Sequence, residues 1–323
     1  MPVAVAELAK RLDATATWLS EPDAHGLVLE DIALPKAATG SSLSFLYDSG
    51  TVGDLDSAGA VLVEAGLADL VAKPMVVDNV PLAIAHAYRW LPIKNTGLPS
   101  SDDGVPQIHP SAYLETGVEI GRHVALGPNS ALFGEVRIGD YCSIGPNVAI
   151  HGPVAIGNRV KIEANSVIGS EAFMFIDDGL KWHKWPSFCG VKINDGVEIG
   201  ACTTIDRGLT RATSIGNDVK IDNQVHIGHG VSIGNDTVIA GRTTIAGESA
   251  IGARCKIGGA CCINEGLSIA DGVTVMGSSA VTRTLDRPGE YVGAWPVQAR
   301  REWWRQLANL KLLAKDRRSS DKY

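Results

Sequence analysis

The sequence predicts a mainly β fold, a parallel β-helix preceded by a small α/β domain and followed by a helix. Three observations predict it. An aliphatic residue recurs at every sixth position from Ile108 to Ile168, then at Ile193, Ile199 and Ile205, and again from Ile215 to Val281. The next residue is often glycine, and the chain holds 36 glycines with only 6% aromatic residues. Residues 1–94 and the basic segment after Gln298 lack this beat.

A six-residue period matches neither the 3.6 of a helix nor the alternation of a strand. It matches a solenoid of short strands and tight turns, in which one inward aliphatic per side fills a narrow prism. Glycine and asparagine suit the positive φ of the corners. Three sides make a coil of about 18 residues, so positions 18 apart stack.

Taken in order, residues 1–94 read as an α/β domain. "VAVAELAKRLDA" and "PLAIAHAYRWL" are its helices, and "SSLSFLY" and "GAVLVEAG" its strands. Residues 95–106 are a polar Pro/Gly/Ser linker. The β-helix spans 107–285, interrupted by loops at 169–192 and 206–214. Such loops commonly build a solenoid's binding site. The first holds three of the five phenylalanines. Residues 286–323 are an extension and helix, with Trp303, Leu307 and Leu310 along one side.

The formal net charge of -7 argues against a nucleic-acid binder. Glu7, Lys10 and Arg11 interrupt the apolar run a signal peptide needs, and no segment approaches a membrane span. The six cysteines lack CxxC spacing, which points to a reducing cytoplasm rather than disulfides or a zinc knuckle. The vicinal pair Cys261–Cys262 is expected to be buried filling.

The segments "VEIGACTTIDRG" (197–208), "IGNDVKIDNQVHIGHGVSIGNDTVIAG" (215–241) and "IGGACCINEG" (257–266) resemble the UDP-3-O-(3-hydroxyacyl)glucosamine N-acyltransferase family of lipid A biosynthesis. The likeness extends over nearly the whole chain. It implies a left-handed hexapeptide β-helix in a cytoplasmic homotrimer. It also implies transfer of a 3-hydroxyacyl chain from acyl carrier protein to the 2-amine of a UDP-amino-sugar. No cofactor or metal is implied, acyl carrier protein being a co-substrate.

The resemblance makes His229 the general base, a role that suits a near-neutral imidazole. It makes Gly247, 18 residues on, the backbone donor to the oxyanion. Asp222 and Asn223 match positions near the sugar nucleotide or steadying the histidine. Phe45 matches an aromatic that stacks on uracil. The family's second aromatic, six residues on, is Thr51 here, with Tyr47 as a substitute. Arg283, Arg300 and Arg301 lie where the family meets the carrier protein, and clustered cations suit so acidic a partner. Trp303 and Trp304 are expected to pack around the trimer axis.

The chain departs from the family in three places. Gly266 replaces a second histidine, leaving the adjacent Glu265, stacked above Gly247, as a stand-in. Ala172-Phe173-Met174-Phe175 replaces Gly-Phe-Gly-Tyr, with Phe173 retained beside the cleft. The uracil-stacking pair is half present. Each departure bears on binding more than on the base, and leaves open another nucleotide amino-sugar.

Two other functions fit a hexapeptide solenoid. One is a zinc lyase of the γ-carbonic anhydrase type, which would need His226, His229 and a third ligand such as His151. The other is a scaffold without activity.

Overall fold

The computed structural model describes residues 2–20, 26–46, 55, 57–88, 90–91, 105–294 and 297–320, with the backbone alone described over 311–320. Tyr47, Thr51 and linker residues 95–104 lie outside the described residues. The chain divides into two compact units, Met1–Ser100 and Ser101–Tyr323.

In the first unit, strands Asp31–Ile32, Ser42–Phe45, Ala60–Val63 and Pro74–Val76 form a parallel sheet in that order. Strand Ala60–Val63 is buried throughout, as a central parallel strand covered on both faces should be. Its alternating side chains feed two cores. Ala60 and Leu62 pack with Leu8, Trp18 and Val80, while Val61 and Val63 pack with Leu46 and Leu55. The helices are Val5–Arg11 and Val80–Ala87. The Asn79 side chain accepts a 2.9 Å bond from Leu82 N–H, which caps the second helix where Pro81 sets its first turn.

The second unit is a three-sided parallel solenoid. Its faces are sheets of ten, nine and eight strands, termed here the first, second and third face. Each coil contributes one short strand to each. The stacking is in register every 18 residues, as in Ile227↔Ile245↔Ile263 on the second face. The sixfold aliphatics line the interior, from Leu126 at 2% exposure to Val281 at 6%. Each such burial contributes roughly 1.5–3 kcal/mol, less the conformational entropy of ordering the coil. Ile108 is 43% exposed because the first coil has a neighbour on one side only.

The position four after each aliphatic also points inward, and it selects small residues for a polar reason. Ser130, Thr237, Thr243 and Ser249 donate 2.8–2.9 Å bonds to a backbone carbonyl 15 residues on. The thiols of Cys142, Cys255 and Cys261 occupy the same position and make the same reach. Burial raises all three thiols above the ordinary cysteine value. Cys262, expected to be buried with Cys261, is instead exposed. Adjacent residues of a strand face opposite ways, so only one of the pair can enter the prism. The corners depart from expectation too. Besides glycine and asparagine, Tyr141, Arg159, Arg242 and Glu248 hold positive φ. Backbone bonds to the neighbouring coils hold these turns in that conformation.

Both insertions leave from one corner. Residues 171–190 join second-face strand Val167–Ser170 to third-face strand Val191–Ile193, carrying an antiparallel hairpin of Phe175–Asp177 and Trp182–Lys184. Residues 207–212 join Thr204–Asp206 to Thr213–Ile215 in the next coil. Beyond Leu285 the chain does not leave the solenoid at once. Strand Gly289–Tyr291 pairs with Val273–Val275 as the tenth strand of the first face. Helix Arg300–Ser320 follows.

Candidate active site

The corner that carries the insertions also carries His229. It lies in the turn between second-face strand His226–Ile227 and third-face strand Ser232–Ile233, one coil beyond residues 207–212. The residue is 7% exposed, an unusual position for a polar ring on a solenoid corner.

Gly247 stands one coil further on, as the 18-residue rule requires, and its glycine is needed for space. A Cβ there would fall 2.5 Å from His229 Cε1 and 2.8 Å from Cδ2. The Nε2 end of the imidazole therefore lies against the Gly247 Cα. The backbone closes the arrangement, with Glu248 N–H donating to the His229 carbonyl at 2.8 Å. Gly247 N–H donates to no protein group among the described residues, so it is free for a ligand oxygen.

Two carboxylates approach the ring. Glu248 Oε1 is 3.4 Å from His229 Nδ1, a contact distance without hydrogen-bond alignment, and Nδ1 is buried with no hydrogen-bond partner. Arg211, from the second insertion, holds the same carboxylate at 2.9 Å and also donates to the Glu248 carbonyl at 2.8 Å. Asp206, one coil below and 7% exposed, accepts a 2.6 Å bond from Ser170 Oγ and lies 3.7 Å from His226 Nε2. Burial raises the Asp206 carboxyl above the ordinary aspartate value, against the opposing pull of Ser170, His226 and His229.

The sign of that shift gives a prediction. A raised folded-state value means the folded chain holds the Asp206 proton more tightly than the unfolded chain does. Its contribution to stability is full below the ordinary aspartate value and is lost as pH rises through the raised one. Asp206→Asn should therefore raise the melting temperature at pH 8, with the gain vanishing towards pH 4. Thermal unfolding of both proteins at the two pH values reads this, and a variant less stable at pH 8 contradicts it.

The other sequence-derived residues fall as follows. Glu265 lies at the same corner, one coil above Gly247, and is exposed. Phe173 is on the first insertion, 87% exposed and edge-on to Phe175 at 5.0 Å. Arg283 is exposed at the same corner, three coils beyond His229. Arg300 and Arg301 are exposed in the first turn of the terminal helix, where Trp303 and Trp304 contact each other edge-on. Phe45 is half-buried and packs on the first unit's core.

Asp222 and Asn223 are not beside His229. They occupy the corner between first and second faces and serve the turns there. Asp222 accepts from Gly241 N–H at 2.9 Å and Asn223 from Ala201 N–H at 2.7 Å. They cannot steady His229 of their own chain. His226, outward on the second face, has Nδ1 2.8 Å from Thr204 Oγ1. His151 stacks on Phe133, and its ring is shifted below the ordinary histidine value by burial and then by Arg207. No group of three metal-ligating side chains is found among the described residues.

Glu248, Arg211 and Asp206 escaped the sequence reading. A signal for Glu248 was present, since positions 230, 248 and 266 read Gly, Glu, Gly down one corner.

The bacterial transferase hexapeptide family (six repeats) matches residues 135–170 and 212–247, the second stretch ending at Gly247. A UDP-3-O-acylglucosamine N-acyltransferase of Chromohalobacter salexigens is 50% identical to this chain over 60 residues, 19% of it and 17% of the relative. One of Pseudomonas paraeruginosa is 40% identical over 154 residues, 48% of this chain and 44% of the relative. The chain thus spans less than half the length of these curated relatives. A UDP-N-acetylglucosamine acyltransferase structure from Bacteroides fragilis superposes with a TM-score of 0.51 at 26% identity, covering 59% of this chain and 71% of that one. No helix among the described residues is long and apolar enough to cross a membrane.

Proposed function

We propose that the protein is an N-acyltransferase that moves a 3-hydroxyacyl chain from acyl carrier protein to the 2-amine of UDP-3-O-acylglucosamine, a step of lipid A biosynthesis. The observation that carries this reading is the buried His229 imidazole lying against the Gly247 backbone at the corner where both insertions emerge. The amine attacks the thioester carbonyl and His229 takes its proton. The unpaired Gly247 N–H faces the developing oxyanion, and a donor so placed typically supplies about 3–4 kcal/mol. The carrier's thiolate leaves, and the imidazolium returns the proton to it.

Phe173 and Glu265 flank this corner and are assigned to the substrate cleft. Phe45 and Tyr47 of the first unit are assigned to the uracil ring. Arg283, Arg300 and Arg301 are assigned to the carrier protein. Helix stability does not explain the last two, because a helix N-terminus disfavours cations.

The site is completed by a neighbour. An exposed prism corner cannot enclose a long acyl chain, whereas a cleft between two prisms can. The second face offers a flat surface for such packing, with Val167, Thr204, Thr244, Cys262 and Ala280 turned outward. A homotrimer would give three such clefts, in which Asp222 and Asn223 of one chain meet His229 of the next. Six unpaired thiols suit the cytoplasm, where the thioester donor is made.

The test is incubation with UDP-3-O-acylglucosamine and a panel of acyl carrier protein thioesters, read by mass spectrometry, with sedimentation run in parallel. One added 3-hydroxyacyl group on the UDP-sugar, made by a protein that sediments as a trimer, is expected. A monomer, or no product with any thioester, defeats the proposal.

A further inference from the structure

The position next to Gly247 is where a solenoid corner should hold glycine, and it holds a glutamate. At this corner the equivalent residues of the flanking coils are Gly230 (φ +64) and Gly266 (φ +70). Glu248 adopts the same left-handed backbone, at φ +59. For a residue with a Cβ that conformation is disfavoured by roughly 1–2 kcal/mol. Corners elsewhere tolerate such residues with their side chains in solvent, as with Arg254 and Arg242. Glu248 is different, because its carboxylate folds back over the coil below.

The neighbouring residues accommodate it there. A Cβ on Gly230 would stand 2.8 Å from the Glu248 Cδ, so Gly230 leaves the space the carboxylate fills. Arg211 grips the residue twice, through Oε2 at 2.9 Å and through the backbone carbonyl at 2.8 Å. That leaves Oε1 3.4 Å from the buried, unpaired Nδ1 of His229. The ring's other nitrogen lies on the Gly247 side, where the amine would react.

We infer that Glu248, anchored by Arg211, is a positioning residue that orients His229 and fixes its tautomer with the proton on Nδ1. Nε2 is then left bare to accept the substrate's proton, which is the tautomer a general base needs. Realignment of the ring with the carboxylate turns the Glu248 contact into a charge-assisted hydrogen bond. The inference deepens the acyl-transfer reading and rests on it. It also assigns a purpose to the insertion at 207–212, which delivers Arg211 to the corner. Asp206 is the other carboxylate near the ring. It lies on the coil below and is already engaged by Ser170.

Glu248→Gly is the informative variant, because it restores the residue found in both flanking coils. It should fold as a trimer with a melting temperature equal to or above that of the parent. Its kcat should nevertheless fall about 10–100-fold, with KM changed less than about 3-fold. Glu248→Gln should behave alike, and Arg211→Ala should lose less. Nitrogen-15 NMR of His229 gives a readout independent of turnover. The parent should show Nδ1–H with a bare Nε2, and Glu248→Gly should lose that preference. An unchanged tautomer, or a Glu248→Gly variant as fast as the parent, overturns the inference. A parent that acylates nothing defeats the acyl-transfer reading instead, and the NMR arm still judges Glu248.

Discussion

His229→Ala is expected to lower kcat by about 10³-fold or more while the protein still folds and assembles. General-base removal of a proton typically contributes 10²–10⁴ to rate, and this substitution deletes the imidazole lying against the Gly247 backbone. The fold should tolerate the change because the solenoid's interior is supplied by Ile227, Ile245 and Ile263, each fully buried and in register. His229's own contribution to the stack is a backbone carbonyl that accepts from Glu248 N–H, and alanine retains it. The lost ring contacts should cost only a few degrees of melting temperature. Steady-state kinetics and sedimentation of the same preparation separate the two effects. A variant within 10-fold of the parent would remove His229 from the chemistry. His226→Ala is the internal control, since that ring points outward and is bonded to Thr204, and its turnover should stay within a few-fold.

The solenoid was legible in the sequence because its physics is periodic. Each inward isoleucine obeys the same constraint, so Ile205, Ile227 and Ile245 reveal one another. The stacking of Gly247 on His229 was legible for a related reason, the two being 18 residues apart in a repeat of 18, whereas the roles assigned to them rest on the family resemblance. What escaped were interactions that break the repeat. Arg211 reaches Glu248 across 37 residues from an insertion that shifts the register, and no spacing rule links the two. Asp206 reads as a member of "TTIDRG", and nothing in that string says its carboxylate is buried. Asp222 and Asn223 occupy a different corner from His229 of their own chain. Six residues before His229 is one side of the prism away, so proximity in sequence meant separation in space. Cys262 was misassigned because an unusual pair drew more notice than the alternation that splits it. Regular packing can be read from sequence, whereas side chains that cross between coils depend on distances that only the folded chain supplies.

Gly247→Ala should be nearly as damaging as loss of the imidazole, although it adds a single methyl group. Gly247 does not hold the left-handed backbone, unlike Gly230 and Gly266 in the same turn, so alanine meets no conformational barrier there. The amide N–H also survives, and a potential oxyanion donor is retained. What alanine cannot avoid is the ring. Its Cβ would stand 2.5 Å from His229 Cε1, whereas ordinary van der Waals contact begins near 3.4 Å. The imidazole must retreat by roughly 1 Å, and a misplacement of that size can cost about 10² in rate. The melting temperature should move little, since the displaced ring is at a corner and not within the prism. The double variant decides whether this account is right. If alanine acts only by displacing the imidazole, Gly247→Ala added to His229→Ala should produce almost no further loss, because the group it displaces is already gone. Multiplicative losses would mean that residue 247 acts on the reaction independently of the ring, and the steric account of its glycine would fall.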